Sequence, residues 1–200
     1  MNERSLKKQE KINKILDYGI KAFREKGYHF AGVQELADAC NLSKGSFYQY
    51  FETKENFCKQ VILRYSENMN SYMRDFFDSH QGPAAEVLKE FYKNVVEMIA
   101  QSEFMTGCLY ADLAAELGGV NQICSQTLTD CMQNSGQILA EIILKGQKDG
   151  SIRKDISADK LSCLMTSSFM GSILKMKVNG NTDSGLFFID EFIGNLITSK

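Results

Sequence analysis

Apolar residues recur every three or four positions along nearly the whole chain, with charged residues between them. That period belongs to an amphipathic helix; a half-buried strand would alternate every second residue, and no such alternation is sustained. Ile12, Ile15, Leu16, Ile20 and Phe23 form a stripe over 7–26, and Gly27 stops it. Two short segments follow, 33–40 and 43–51. Thr53 then caps a long helix over 54–79, striped by Phe57, Val61, Tyr65, Met69, Tyr72, Met73 and Phe76. His80-Gln81-Gly82-Pro83 breaks the pattern, and Pro83 suits the first turn of what comes next. Further helices are predicted over 83–101, 105–117, 121–148, 157–178 and 184–198, with glycine-bearing breaks at 118–119, 149–150 and 179–181.

The pattern predicts an all-α fold, and composition narrows it. The 200 residues are 44% hydrophobic and 24% charged, ordinary for a globular chain and too apolar for a disordered one. No apolar run approaches the ~18–20 residues of a membrane span. The charged start, 1–14, lacks the apolar core of a secretory signal, so a cytoplasmic protein is expected, with no membrane partner. In that compartment the six cysteines stay free thiols. They form no C-x-x-C pair and only two histidines accompany them, so no metal or other cofactor is expected. Charge is uneven. Residues 1–65 hold 12 Lys and Arg against 8 Asp and Glu, whereas 66–200 hold 11 against 17. A basic head on an acidic body directs a polyanion to the head.

The head contains VQELADACNLSKGSFYQYFE, residues 33–52. Leu36 and small Ala37 give the first short helix an inner face that a second helix can approach closely. Asn41 stands at the turn, where the backbone needs positive φ. Leu42, Phe47 and Tyr50 are spaced to pack the second helix back, which is helix-turn-helix spacing. Ser43 caps that second helix, and its free N-terminal amides favour phosphate. Lys and Gln are base-reading types, and Ser, Tyr and Lys suit phosphate oxygens. Short patterns of this kind also occur as plain packing units.

GYHFAGVQELADACNLSKGSFYQYFETKENF closely resembles the N-terminal signature of the TetR/AcrR family of bacterial transcriptional regulators. The matching positions are Phe23, Gly27-Tyr28, Leu36-Ala37, Ser43-Lys44-Gly45, Phe47-Tyr48, Phe51 and Lys54-Glu55. The resemblance implies a nine-helix, all-α homodimer. A three-helix helix-turn-helix DNA-binding domain would span 1–52, with its motif at 32–51. A larger helical effector-binding and dimerisation domain would span 53–200. It implies base contacts from Gln34, Lys44, Gly45 and Gln49, and phosphate or sugar contacts from Ser46, Tyr48, Tyr50 and Lys54, on double-stranded operator DNA. Where the family carries Thr or Ser before the first motif helix, this chain has Ala31-Gly32. Its turn residue is Asn41 in place of the usual Gly.

A repressor of this type needs a second state that an effector favours. Candidate pocket residues are Phe91, Tyr92, Met98, Phe104, Met105, Tyr110, Leu113, Met165 and Phe169, side chains that equally suit ordinary core. Thr106–Leu117 is similar to a Gly-Cys-Leu segment found in a TetR-family branch that includes electrophile- and oxidant-responsive repressors. That likeness makes Cys108 a candidate sensor for a small apolar or electrophilic effector. A helix start would favour its thiolate, and Lys175 or Lys177 would add charge if folded close. Cys124 and Cys131 share a helix face and are expected to pack, as are Cys40 and Cys163. The last two helices are expected to form the dimer interface through Leu161, Leu164, Met165, Ser168, Phe169, Gly171, Ser172 and Leu174. A second apolar face there holds Leu186, Phe187, Ile189, Phe192, Ile193 and Leu196. The alternatives are a thiol-dependent enzyme built on Cys108, or a helical interaction module without DNA binding. No histidine partner, phosphate loop or metal set supports an enzyme, so none is expected.

Overall fold

The computed structural model describes residues 3–103 and 107–198. Among these the chain forms nine helices. They are α1 (Glu3–Phe30), α2 (Val33–Ala39), α3 (Lys44–Phe51), α4 (Lys54–Ser79), α5 (Ala84–Gln101), α6 (Leu109–Leu117), α7 (Gln122–Asp149), α8 (Ala158–Asn179) and α9. The last runs Asp183–Phe187 and continues over Phe188–Ile197 as a wider π-type helix, where a uniform α-helix was expected. The sole β-type pairing among the described residues is a bridge between Ile152 and Thr198. No described helix is long and apolar enough to cross a membrane.

Packing divides the chain into two compact units. One comprises Met1–Asn68 and Leu109–Met132; the other comprises Met69–Cys108 and Gln133–Lys200. The cuts therefore fall within α4, just before α6 and within α7, and none lies at the 52/53 boundary that the resemblance implies. α6 packs with the N-terminal helices, most extensively with α1. The local signals account for the helix ends of this first unit. Gly27 takes φ 78° and breaks α1 before its last turn. Thr53 Oγ1 accepts from Asn56 N at 3.0 Å at the start of α4. At its centre Phe57 meets the rings of Phe23, Phe47 and Phe51 at 5.8, 5.0 and 4.8 Å. All four are buried, so α1, α3 and α4 share one aromatic core.

The second unit packs α5, the later part of α7, α8 and α9 around Leu88, Phe91, Tyr92, Ile143, Met165, Phe169 and Phe188. Pro83 stands at the cap of α5, one position before its expected place in the first turn. Asp149 Oδ2 accepts from Ala84 N at 3.0 Å, so the end of α7 caps α5 across 65 residues. Two expectations need correction here. Cys163 is exposed rather than core, because the inward stripe of α8 is Leu161, Met165 and Phe169, and Cys163 lies two residues off it. The residues assigned to a dimer face also separate into two sets. Leu161, Met165, Phe169, Ile189 and Ile193 are buried in the unit's own core, whereas Leu164, Leu174, Leu186, Phe187 and Leu196 are exposed.

Candidate nucleic-acid interface

α2 starts at Gly32, which offers no side-chain cap, as the Ala31-Gly32 departure implies; the amide of Leu36 donates to Gly32 O at 3.0 Å. Asn41 takes φ 54° at the turn. Around it the amides of Cys40 and Leu42 donate to Ala37 O at 3.0 and 2.9 Å, and that of Asn41 to Asp38 O at 3.0 Å. The turn is thus closed by backbone alone. Ser43 Oγ accepts from Ser46 N at 3.0 Å and caps α3. Phe47 and Phe51 face the core; Phe51 takes the packing role that spacing gave to Tyr50, which is half-buried.

The opposite face of α3 is free. Lys44, Gly45, Tyr48 and Gln49 are exposed, and Ser46 is partly so. Lys44 with Tyr48, and Gly45 with Gln49, stand four apart and form neighbouring rows on one surface. Among the described residues Lys44 has no ion pair. Gln34 is exposed on α2 and donates to Asp38 Oδ1 at 2.7 Å. A Cβ added at Gly45 would meet only Ser43 Oγ, at 3.8 Å. Nothing inside the fold therefore requires glycine there. A small residue at that point matters only to something approaching from outside.

Lys54 is differently placed. Its ammonium donates to Tyr28 O at 2.6 Å and lies 4.4 Å over the Tyr28 ring. Burial pulls it below the ordinary lysine value. The Tyr28 hydroxyl in turn donates to Glu55 at 3.3 Å, and burial together with the Glu55 charge pushes that phenol up. Lys54 thus joins the start of α4 to the end of α1, an internal role that motif reading had not given it.

Two groups escaped the sequence. Glu116 of α6 accepts from Tyr28 N at 3.0 Å and from His29 N at 3.1 Å, holding the broken end of α1. An acid 88 residues from its partner leaves no trace in any local pattern. Lys8 and Lys11 of α1 border a surface recess of about 280 Å³ with Leu42, Ser46, Gln49 and Tyr50. Their place in the basic head was the only available signal.

The proposed effector residues are divided. Phe91, Met165 and Phe169 are buried in the core of the second unit, with Cys108 half-buried against that core. Phe169 packs edge-on to Tyr92 at 4.6 Å, and Phe91 meets Phe77 at 4.9 Å. Met98 is exposed instead, because it lies off the inward stripe of α5. Tyr110 and Leu113 belong to the first unit, where Tyr110 meets Tyr65 edge-on at 5.0 Å. Phe104 and Met105 lie outside the described residues. Cys58 and Cys124 are buried, and the Cys124 thiol donates to Glu55 O at 3.9 Å; the neighbouring Cys124 thiol and burial push the Cys58 thiol up.

A capped, outward-facing helix braced by an aromatic core, two residues beyond a backbone-closed turn, defines a helix-turn-helix DNA-binding transcriptional regulator. Residues 15–61 match the family described as bacterial regulatory proteins, tetR family, and residues 84–189 match the tetracyclin repressor-like C-terminal domain. The chain belongs to the TetR family. It is 27% identical over 179 residues to the HTH-type transcriptional repressor DhaR of Mycobacterium sp. (strain GP1), spanning 90% of this chain and 86% of that one. It is 28% identical over 185 residues to the transcriptional regulator AcuR of Cereibacter sphaeroides, spanning 92% and 84%. The solved reduced form of E. coli NemR shares the fold, with a TM-score of 0.87 at 18% identity over 96% of this chain and 98% of that one.

Proposed function

We propose that the protein is a homodimeric repressor that occupies an operator through α3 and is released by a small apolar or electrophilic effector. The observation that carries this reading is the free face of α3. Lys44, Gly45, Tyr48 and Gln49 are exposed on a capped helix, and apart from the Tyr48 ring edge-on to Phe47 at 5.8 Å no internal contact accounts for them. Lys44, Gly45, Gln49 and, from α2, Gln34 meet base edges. Ser46, Tyr48 and Tyr50 meet phosphate or sugar. Lys54 acts indirectly, by fixing α4 against α1. The name of the relative DhaR supports repression. On the effector side, Phe91, Met165 and Phe169 supply apolar surface and Cys108 a half-buried thiol beside it. A related solved structure from Saccharomonospora viridis holds choline, which supports a small-molecule effector as a class.

One titration series tests both halves. Labelled duplexes tiling the DNA upstream of its own gene are bound at rising salt, with and without an electrophile such as N-ethylmaleimide. Operator affinity falls by ~0.9 log unit per log unit of salt for each neutralised phosphate. Tyr48→Ala weakens all duplexes alike, whereas Gln49→Ala relaxes one base preference. Unchanged affinity in both variants would remove α3 from the interface. Cys108→Ser keeps DNA binding and loses release by the electrophile; release that persists in this variant excludes the thiol as the sensor.

A further inference from the structure

The recess between α1 and α3 has a wall that the recognition helix does not supply. Lys8 and Lys11 stand three apart on α1 and so share one face. Both are exposed, and among the described residues neither has an ion pair. Opposite them stand Ser46, Gln49 and Tyr50 of α3, and Leu42 completes the lining. No acid contributes. The Lys11 ammonium lies 5.9 Å from the centroid of the Tyr50 ring, at the outer limit of a cation–π contact, so it is turned toward α3.

We propose that this recess seats one sugar–phosphate unit of the operator strand flanking α3, with Lys8 and Lys11 as its cationic wall. The inference rests on α3 being the recognition helix. A helix with side chains is about 10–12 Å across, and the B-DNA major groove is about 12 Å wide. Once α3 fills the groove, with Gln34 of α2 the one residue of another element reaching in beside it, the α1 side of α3 is left at the groove's edge, which is phosphate. An ammonium is a compact point charge without the fork that reads a base edge, so a lysine pair suits that position. Ser46, lining the same recess, brings a hydroxyl to the same oxygens. The recess then sets how α3 is aligned along the groove and contributes affinity without sequence preference.

The test uses the full chain, the labelled upstream duplexes, a scrambled duplex of equal length, and the variants Lys8→Ala/Lys11→Ala, Lys8→Arg/Lys11→Arg and Gln49→Ala. One phosphate per subunit amounts to two per dimer. The double alanine variant therefore loses ~1.8 from the slope of log affinity against log salt. Between 50 and 200 mM salt its affinity falls about tenfold less than that of the unaltered protein. Its ratio of operator to scrambled affinity is unchanged, and the arginine pair restores the slope. An unchanged slope in the alanine pair, while Gln49→Ala still impairs operator binding, overturns the phosphate seat and leaves α3 as the recognition helix. A collapse of the operator-to-scrambled ratio in the alanine pair also overturns it, by making the lysines base readers. Failure of the unaltered protein to bind any duplex removes the underlying reading itself.

Discussion

Two glycines with opposite roles show what single residues contribute. At Gly45 an added methyl meets only ordinary contact, 3.8 Å from Ser43 Oγ, and the backbone is helical. Alanine there reduces the freedom of the unfolded chain and gains up to about 1 kcal/mol. At Gly27 the φ is 78°, and a Cβ would stand 2.4 Å from Glu116 Oε1. Alanine there costs about 1–3 kcal/mol in backbone strain alone, and it also pushes away the carboxylate that holds Tyr28 N and His29 N. Gly45→Ala should therefore raise the unfolding midpoint yet weaken operator binding. Gly27→Ala should lower the midpoint, and less so in a Glu116→Ala background, because the clash is then absent. Urea unfolding of the four proteins in that cycle reads the coupling, and strictly additive losses would show that Glu116 and Gly27 do not meet. Only half of this was legible in the sequence. Ser43, Thr53 and Asn41 act within three residues of themselves, so their cap and turn chemistry could be read directly. The grip of Glu116 on α1 joins residues 88 apart, and the attachment of Lys54 to Tyr28 O joins residues 26 apart. Local pattern carries neither.

Among elements, α1 crosses α4 closely at Gly19. A Cβ at Gly19 would lie 2.6 Å from Phe57 Cζ and 2.7 Å from Val61 Cγ2. Two effects of Gly19→Ala compete. Helix propensity favours alanine by about 1 kcal/mol, while overpacking a filled core costs about 1–3 kcal/mol. Phe57 decides the sign. It is buried against Phe23, Phe47 and Phe51 at once, so its ring cannot yield without moving α3. The expected outcome is a net loss of stability of about 1 kcal/mol, together with weaker operator binding. A variant as stable as the parent, with full DNA affinity, would mean the rings relax freely. Periodicity located these helices well, because each buries one stripe. It read α8 and α9 less well. Both carry apolar residues on two faces, and a stripe cannot declare whether its partner is the chain's own core or another molecule. Packing answered that by burying Met165 and Ile193 and leaving Leu164 and Phe187 outside. The division within α4 and α7 was likewise invisible, since one unbroken stripe serves both units.

For the whole molecule, we propose that the exposed side chains of α8 and α9 form the dimer interface. Phe187 is 68% exposed and Val178 84%, and Leu164, Leu174, Leu186 and Leu196 join them on the same two helices. Full burial of one such side chain contributes about 1.5–3 kcal/mol, and the described residues of one subunit leave these uncovered. A two-fold partner presents the same patch in return, which is how a symmetric dimer closes. The small residues Gly171 and Ser172 of α8 let the helices approach. Such a dimer holds two copies of α3, so the second half-site binds at the effective concentration set by the first. Linked binding of this kind exceeds the affinity of one module by about 10²–10⁴. A charge in the patch should remove that factor without touching α3. Phe187→Glu is therefore expected to sediment as a folded monomer and to bind a two-half-site operator about 10²–10⁴ more weakly, while its affinity for a duplex carrying one half-site stays unchanged. Analytical ultracentrifugation and anisotropy on the two duplexes separate the terms. A variant that remained dimeric would place the interface elsewhere on the surface, and a monomer with undiminished operator affinity would show that one copy of α3 is enough.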